Sequence, residues 1–192
     1  MDDARLLAHY LAVAREPWNR SAEAAYLEYA TRAWLAAAWP AGAVRAINIG
    51  IGAGGWDDVL ADRAAELTSV DVDPEICALH AYRLRRLGVA ARVVCGDLLD
   101  DALPTAGWDV VTAIGSTIGE IGDRERAIAS LARLCAPGGR LLVHGDRETI
   151  DPAWARGALH DFGSVDARVD PAAGTFVTAI RAARRSAPSH RR

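Results

Sequence analysis

The sequence contains no lysine, so all 22 basic residues are arginine and every mechanism that runs through a lysine Schiff base is excluded. Cysteine is scarce. Cys77, Cys95 and Cys135 stand far apart, with neither C-x-x-C spacing nor an accompanying histidine pattern, so no metal site is expected. All three are expected to be reduced core residues. No apolar run approaches membrane-spanning length, and the opening Met1-Asp2-Asp3 is acidic where a leader peptide would be basic. A soluble, cytoplasmic protein without membrane contact is the expectation. Excess positive charge is also missing: a net charge of −3 gives no general attraction for nucleic acid and favours small-molecule chemistry. There is no internal repeat.

What is present suffices for one core. A chain of 192 residues that is 51% hydrophobic can bury one well-packed domain and is too short for two of ordinary size. Its most informative stretch runs from Ala46 to Asp58, where an apolar run ends in glycines and gives way to residues that can start a helix. Strands hand over to helices in this way beneath nucleotide-like ligands, because glycine lets the backbone approach closely. Two templates fit. Gly50, Gly52 and Gly54 match the G-x-G-x-G of S-adenosylmethionine sites, and Gly50, Gly52 and Gly55 match the G-x-G-x-x-G of dinucleotide sites, so this stretch alone does not name a ligand.

Ahead of the glycines, apolar residues recur at helical spacing over residues 3–15 and again from Ser21, an expected N-cap, to Ala37. Residues 1–42 are expected to form a helical lid, with the aromatic residues Tyr10, Trp18, Tyr26, Tyr29 and Trp34 lining it over the site and Trp18, Tyr26 and Tyr29 contacting the acceptor. Beyond the glycines, short apolar runs at 44–49, 67–72, 90–95, 108–115 and 140–144 alternate with helical segments, the pattern of a parallel sheet covered on both faces. Asp73 with Pro74, and Asp123, are expected to start helices, and Gly88 to end one in a left-handed cap. After Pro152 the rhythm changes: a helix through Trp154 and Leu159 precedes two strand-like runs, 164–169 and 175–181. So short a turn between them requires antiparallel pairing. The expected fold is α/β, a doubly wound, mostly parallel seven-stranded sheet with a C-terminal antiparallel hairpin, preceded by two N-terminal helices. Its main domain spans 43–183, and 184–192 reads as a disordered tail.

In this order and spacing the motifs resemble the class I S-adenosylmethionine-dependent methyltransferases, over nearly everything from Val44 to Ala182. The glycine stretch resembles the family's first motif. Asp71 ends the second strand three residues before Pro74, where the family places the acid that binds the ribose hydroxyls. Gly96-Asp97-Leu98 resembles the motif whose aspartate accepts a hydrogen bond from the adenine amino group. Ala136 to Val143 resembles the family's proline-glycine-glycine turn into strand five, and the closing hairpin separates this fold from an ordinary dinucleotide domain. The resemblance implies S-adenosyl-L-methionine as cofactor, held by Asn48, Gly50, Gly52, Gly54, Asp71, Val72, Asp97, Leu98 and Gly115. A carboxylate at Asp71 can accept two charge-assisted hydroxyl hydrogen bonds. Asn48 departs from the pattern, since the family usually has Glu or Asp there to help hold the cofactor's amino group.

Methyl transfer is an in-line displacement that chiefly needs alignment of a nucleophile and, where necessary, removal of its proton. The acceptor region lies beyond the carboxyl ends of strands four and five, at residues 115–120 and 144–148. His144 and Glu120 are the candidate catalytic groups, and Trp18, Tyr26, Tyr29, Ser116 and Asp146 the candidate acceptor contacts. The proline-rich tetrapeptide of enzymes that methylate exocyclic amines of nucleic-acid bases is missing after strand four, so base methylation is not expected. Gly115 to Gly119 locally resembles a segment of histidine α-N-methyltransferases, which points to an amine or amino-acid-like acceptor. The reading is methyl transfer to N or O of a small molecule in secondary or amino-acid metabolism, with a homodimer left open. The alternatives are aminopropyl transfer or cyclisation on the same fold, a binding module without activity, and a nicotinamide-dependent oxidoreductase.

Overall fold

The computed structural model describes residues 21–100, 103 and 107–183. The helix expected over 3–15, Trp18 and the tail at 184–192 lie outside the described residues. Helix α1 (Ala22–Ala38) is followed by β1 (Arg45–Ile49), α2 (Gly55–Ala61), β2 (Glu66–Asp71), α3 (Pro74–Leu87) and β3 (Ala91–Cys95). Then come β4 (Trp108–Ala113), α4 (Thr117–Ile121), α5 (Arg124–Leu134), β5 (Cys135–Gly145), α6 (Pro152–Ala158), β6 (Ser164–Asp170) and β7 (Gly174–Ile180). The seven strands form one sheet in the order β3-β2-β1-β4-β5-β7-β6. Pairing is parallel from β3 through β5, whereas β7 is antiparallel to both β5 and β6. The seven-stranded sheet and its closing antiparallel hairpin are as expected.

Side-chain alternation along the strands divides the core into two layers. Ile47, Val111, Leu141 and Val143 face one layer with Ala127, Ile128, Leu131 and Leu134 of α5 and Leu159 beyond α6. Ala46, Val110 and Leu142 face the other, with Trp34, Leu35 and Ala38 of α1 and Val59 and Leu60 of α2. Helix α1 is therefore continuous with the main core. Its Trp34 Nε1 donates to Thr178 Oγ1 at 3.0 Å, and the Arg140 guanidinium donates to the Ala38 carbonyl near the start of β5. At its other end Tyr26 donates to Asp170 at 2.9 Å, so the first turns of α1 reach the β6–β7 turn, beside the end of β5.

The helix boundaries follow their local chemistry. Ser21 Oγ accepts from the Ala24 N–H at 3.0 Å, Asp73 Oδ1 from the Glu75 N–H at 2.7 Å, and Asp123 Oδ1 from the Arg126 N–H at 3.0 Å. Gly88 ends α3 at φ +68°. Three details depart from the sequence expectation. Strand β5 begins at Cys135 and takes Pro137-Gly138-Gly139 into its own irregular start, where the register to β4 shifts between Trp108 and Val110. A Cβ at Gly139 would stand 2.9 Å from the Trp108 carbonyl, which is why a glycine passes there. The short helix α4 occupies part of the acceptor region, where the sequence pattern predicts no helix. Cys77 and Cys135 are buried but Cys95, on edge strand β3, is exposed, so the expectation that all three thiols are core residues fails at Cys95.

Candidate functional site

In an open α/β sheet the ligand crevice lies at the carboxyl ends of the strands where the strand order reverses. Here that point is between β1 and β4, because β2 and β3 extend the sheet one way and β5 the other. The glycine turn after β1 sits there. Gly50, Gly52 and Gly54 all take positive φ, at +82°, +52° and +76°, a backbone open to glycine at little cost. Their surroundings differ. A Cβ at Gly50 would collide with the Thr117 side chain of α4, one at Gly54 would stand 2.7 Å from His80 Nδ1 of α3, and one at Gly52 would meet nothing within 4 Å. The turn is thus pinned at both ends and open in its middle.

Asp71 braces the open part. Its Oδ2 accepts from the N–H groups of Ile51 at 2.8 Å and Gly52 at 3.3 Å, and its Oδ1 accepts from Asp73 at 3.0 Å. The acid at the end of β2 and the glycine turn after β1 therefore share one small region. Val72 beside it is 67% exposed. One strand further, Asp97 Oδ1 accepts from the Leu99 N–H at 2.8 Å in a local turn, and its second oxygen has no hydrogen bond among the described residues. Leu98 turns its side chain into the core, so any ligand contact there is through its backbone. Open glycine backbone, an acid at the β2 end and a second acid after β3 fit a ligand with an amino-acid end, a ribose and a base.

Asn48 does not face that opening. Only 1% exposed, its Nδ2 lies 3.2 Å from both carboxylate oxygens of Asp57 and 3.5 Å from the Gly50 carbonyl, while its Oδ1 accepts from Thr112 at 2.8 Å. Asn48, for which a direct ligand contact is expected, is instead buried and reaches the glycine turn through the Gly50 carbonyl. Asp57, fully buried, also accepts from Ser69. Burial pushes the Asp57 carboxyl up to about 7, against the pull of the Ser69 and Asn48 hydrogen bonds. His80 lies 3.7 Å away through Nε2; burial and the Arg83 charge lower it to about 4, so the imidazole is neutral at neutral pH and the contact is not an ion pair. Sequence reading missed Asp57, Ser69, Thr112 and Thr117. The available signal was a polar residue inside each of three mainly apolar strands, Asn48, Ser69 and Thr112, and the register sets these side by side.

On the acceptor side, His144 is 4% exposed and both ring nitrogens are engaged: Nδ1 accepts from the Gly115 N–H at 3.2 Å and Nε2 donates to the Ala173 carbonyl at 2.6 Å. That pattern requires the Nε2–H tautomer and leaves no nitrogen to take a proton, so His144 ties the loop after β4 to the β6–β7 turn. Burial lowers its pKa. Glu120, exposed on α4, accepts from Ser116 Oγ. Asp146 is turned to its own loop, accepting from the Thr149 N–H at 2.7 Å and Thr149 Oγ1 at 2.8 Å, and these bonds lower its pKa. Tyr26 and Tyr29 stand with ring centroids 6.5 Å apart, Tyr29 being 70% exposed. A cavity of about 400 Å³ opens next to this region, lined by Arg147, Glu148, Asp151, Pro152, Val169 and Thr175. Among the described residues no cluster of three or more His, Cys, Asp or Glu could hold a metal ion, and no helix is long and apolar enough to cross a membrane.

Residues 46–139 match a family model described as a methyltransferase domain. An uncharacterized methyltransferase of Mycobacterium tuberculosis is 31% identical over 128 residues, 67% of this chain and 60% of that protein; the chain thus spans less than two thirds of that relative's length. Among solved structures, the [4+2]-cyclase SpnF is 26% identical with a TM-score of 0.56, over 68% of this chain and 47% of that one. A SAM-dependent methyltransferase from Aquifex aeolicus shares the fold at a TM-score of 0.66 and 16% identity, over 94% of this chain and 99% of that one.

Proposed function

Because residues 46–139 of this chain match a methyltransferase domain, we propose that it belongs to the class I S-adenosylmethionine-dependent family and transfers a methyl group from that cofactor to a nitrogen or oxygen of a small-molecule acceptor. The observation that carries the reading is the Asp71 carboxylate, hydrogen bonded to the Ile51 and Gly52 N–H groups beside the open side of the glycine turn. When bound, S-adenosylmethionine supplies an electrophilic methyl group on a sulfonium. The residues bind and orient. The Gly50 to Gly54 backbone takes the amino-acid end, Asp71 accepts from the ribose hydroxyls, Val72 covers the base, and Asp97 with the Leu98 backbone reads the base edge. Gly115 borders the reacting end. Ser116, Glu120, Asp146, Tyr26 and Tyr29 form the acceptor rim, with α1 as its wall.

Alignment supplies most of the rate in such a displacement, so few groups need to act chemically. Glu120 is the proton acceptor in this reading: it is exposed, anchored by the Ser116 hydroxyl, and suited to pairing with an ammonium before taking its proton. His144 holds the two loops that frame the acceptor. An amine or amino-acid-like acceptor in secondary or amino-acid metabolism fits this charge arrangement. The test is formation of S-adenosylhomocysteine and a product 14 Da heavier across a panel of amines and hydroxyl compounds, with Glu120→Gln lowering turnover on amines most. A panel that turns over only thiols would overturn it. The similarity to SpnF supports one second reading, cofactor-dependent cyclisation without methyl transfer; binding of the cofactor with no S-adenosylhomocysteine released over the same panel would favour it.

A further inference from the structure

The glycine turn rests on a buried acid that neither the family match nor the reading above assigns. Asn48, Ser69 and Thr112 are neighbours in register on β1, β2 and β4 and make a polar row across one face of the sheet. Above the row stands Asp57 from the first turn of α2, fully buried. The orientation of the Asn48 amide is fixed by its partners: its oxygen takes the Thr112 hydroxyl, so its nitrogen faces the Asp57 carboxylate and the Gly50 carbonyl. A flipped amide would set oxygen against carboxylate. A continuous path therefore runs from Asp57 through one amide group to the backbone of the glycine turn.

The charges around this path do not neutralise it. Facing Asp57 and His80 are the carboxylates of Asp58 and Asp71 and the guanidinium of Arg83. Arg83 is paired with Asp58 and also donates to the Gly54 carbonyl at 3.1 Å. Asp57 accepts hydrogen bonds from the neutral groups Ser69 and Asn48, and the nearby His80 Nε2 is buried without a hydrogen-bond partner. A buried carboxylate held by neutral donors is ionised at a cost. A cation placed on the turn above it would lower that cost.

We propose that Asp57 is a positioning residue for the cofactor, setting the glycine turn through Asn48 and supplying from the helix the negative charge that lies beneath a cationic ligand. This rests on the assignment of the turn to S-adenosylmethionine. The shift of the Asp57 carboxyl to about 7 gives the inference a proton signature. Cation binding favours the ionised form, so a proton leaves the Asp57 carboxyl for the buffer as the ligand binds, and affinity rises with pH through neutrality.

The test is titration calorimetry of the full chain with S-adenosylmethionine at pH 6 and pH 8, in two buffers of different ionisation enthalpy. Wild type is expected to bind about tenfold more tightly at pH 8, a change of one unit's worth of linkage, and to release a proton at pH 6. Asp57→Asn is expected to bind about tenfold more weakly than wild type at pH 8, with no proton release. The double variant Asn48→Asp/Asp57→Asn, which returns the carboxylate to the strand, is expected to recover the affinity. Wild-type binding that is independent of pH with no proton release would overturn the inference, and this remains decisive if Asp57→Asn does not fold. Folded Asp57→Asn with unchanged affinity would also overturn it. Wild type that binds no S-adenosylmethionine at all would instead remove the functional reading on which it rests.

Discussion

Replacing Asp71 with alanine separates its two tasks, bracing the glycine turn and holding the ligand. The brace is worth less than its three hydrogen bonds suggest. Gly52 and Asp73 are exposed, so water can take over their N–H groups, whereas Ile51 is 3% exposed and loses its acceptor. A buried donor left unpaired costs about 1–3 kcal/mol. In a domain of this size about 2 kcal/mol lowers Tm by about 4–8 °C. The ligand effect is larger in ratio. Two ribose hydroxyls donating to one carboxylate, at about 1.5 kcal/mol each for charge-assisted bonds at a half-open site, amount to about 3 kcal/mol, or roughly 150-fold in Kd. Asp71→Asn keeps one carbonyl acceptor and is expected to lose about tenfold. Calorimetry with S-adenosylhomocysteine, paired with thermal melts, reads both quantities on the same samples. If the alanine variant melts lower but binds within about twofold of wild type, the acid is a brace alone and the ribose assignment is wrong.

The glycines give a second contrast. Gly52→Ala, with open space around its Cβ at φ +52°, is expected to lose about 1 kcal/mol of stability but most of its cofactor affinity, while Gly50→Ala, which collides with Thr117, loses both; equal cofactor affinity in Gly52→Ala and wild type would place the ligand elsewhere. His144→Ala orphans the Gly115 N–H and the Ala173 carbonyl and is expected to cost about 2 kcal/mol in denaturant titrations. Because the folded pKa of His144 lies below its ordinary value, the unfolded chain binds the proton more readily, so this stabilisation is present above about pH 6.5 and is lost as pH falls below it. His144→Gln should reduce that slope and leave the share of His80, whose pKa burial also lowers, and an unchanged slope would show that His144 carries none of it. Native maleimide labelling read by mass spectrometry should add one adduct, at Cys95, because Cys77 and Cys135 are buried and burial raises their thiols to about 12 and about 11; rapid labelling of Cys77 would contradict the packing of α3 on the sheet.

What the sequence conveyed was local chemistry. The caps Ser21, Asp73 and Asp123 and the left-handed Gly88 act within three or four residues of themselves, and the alternation of short apolar runs with helices leaves few topologies open. The hairpin was legible because its turn is short. Asp57 was not, since its role depends on β1, β2 and β4 aligning so that Asn48, Ser69 and Thr112 meet beneath it. The same reason hides His144. Its position at a strand end suggested chemistry, but its two partners lie 29 residues away in either direction, and these fix both nitrogens. Cys95 misled because apolar neighbours in sequence do not reveal that β3 is the edge of the sheet.

Titration calorimetry of the full chain against S-adenosylmethionine, S-adenosylhomocysteine and NAD tests the central claim most directly. Saturable binding of the first two, with none of NAD, is the predicted result. Binding of NAD alone would contradict the assignment of the glycine turn and of Asp71.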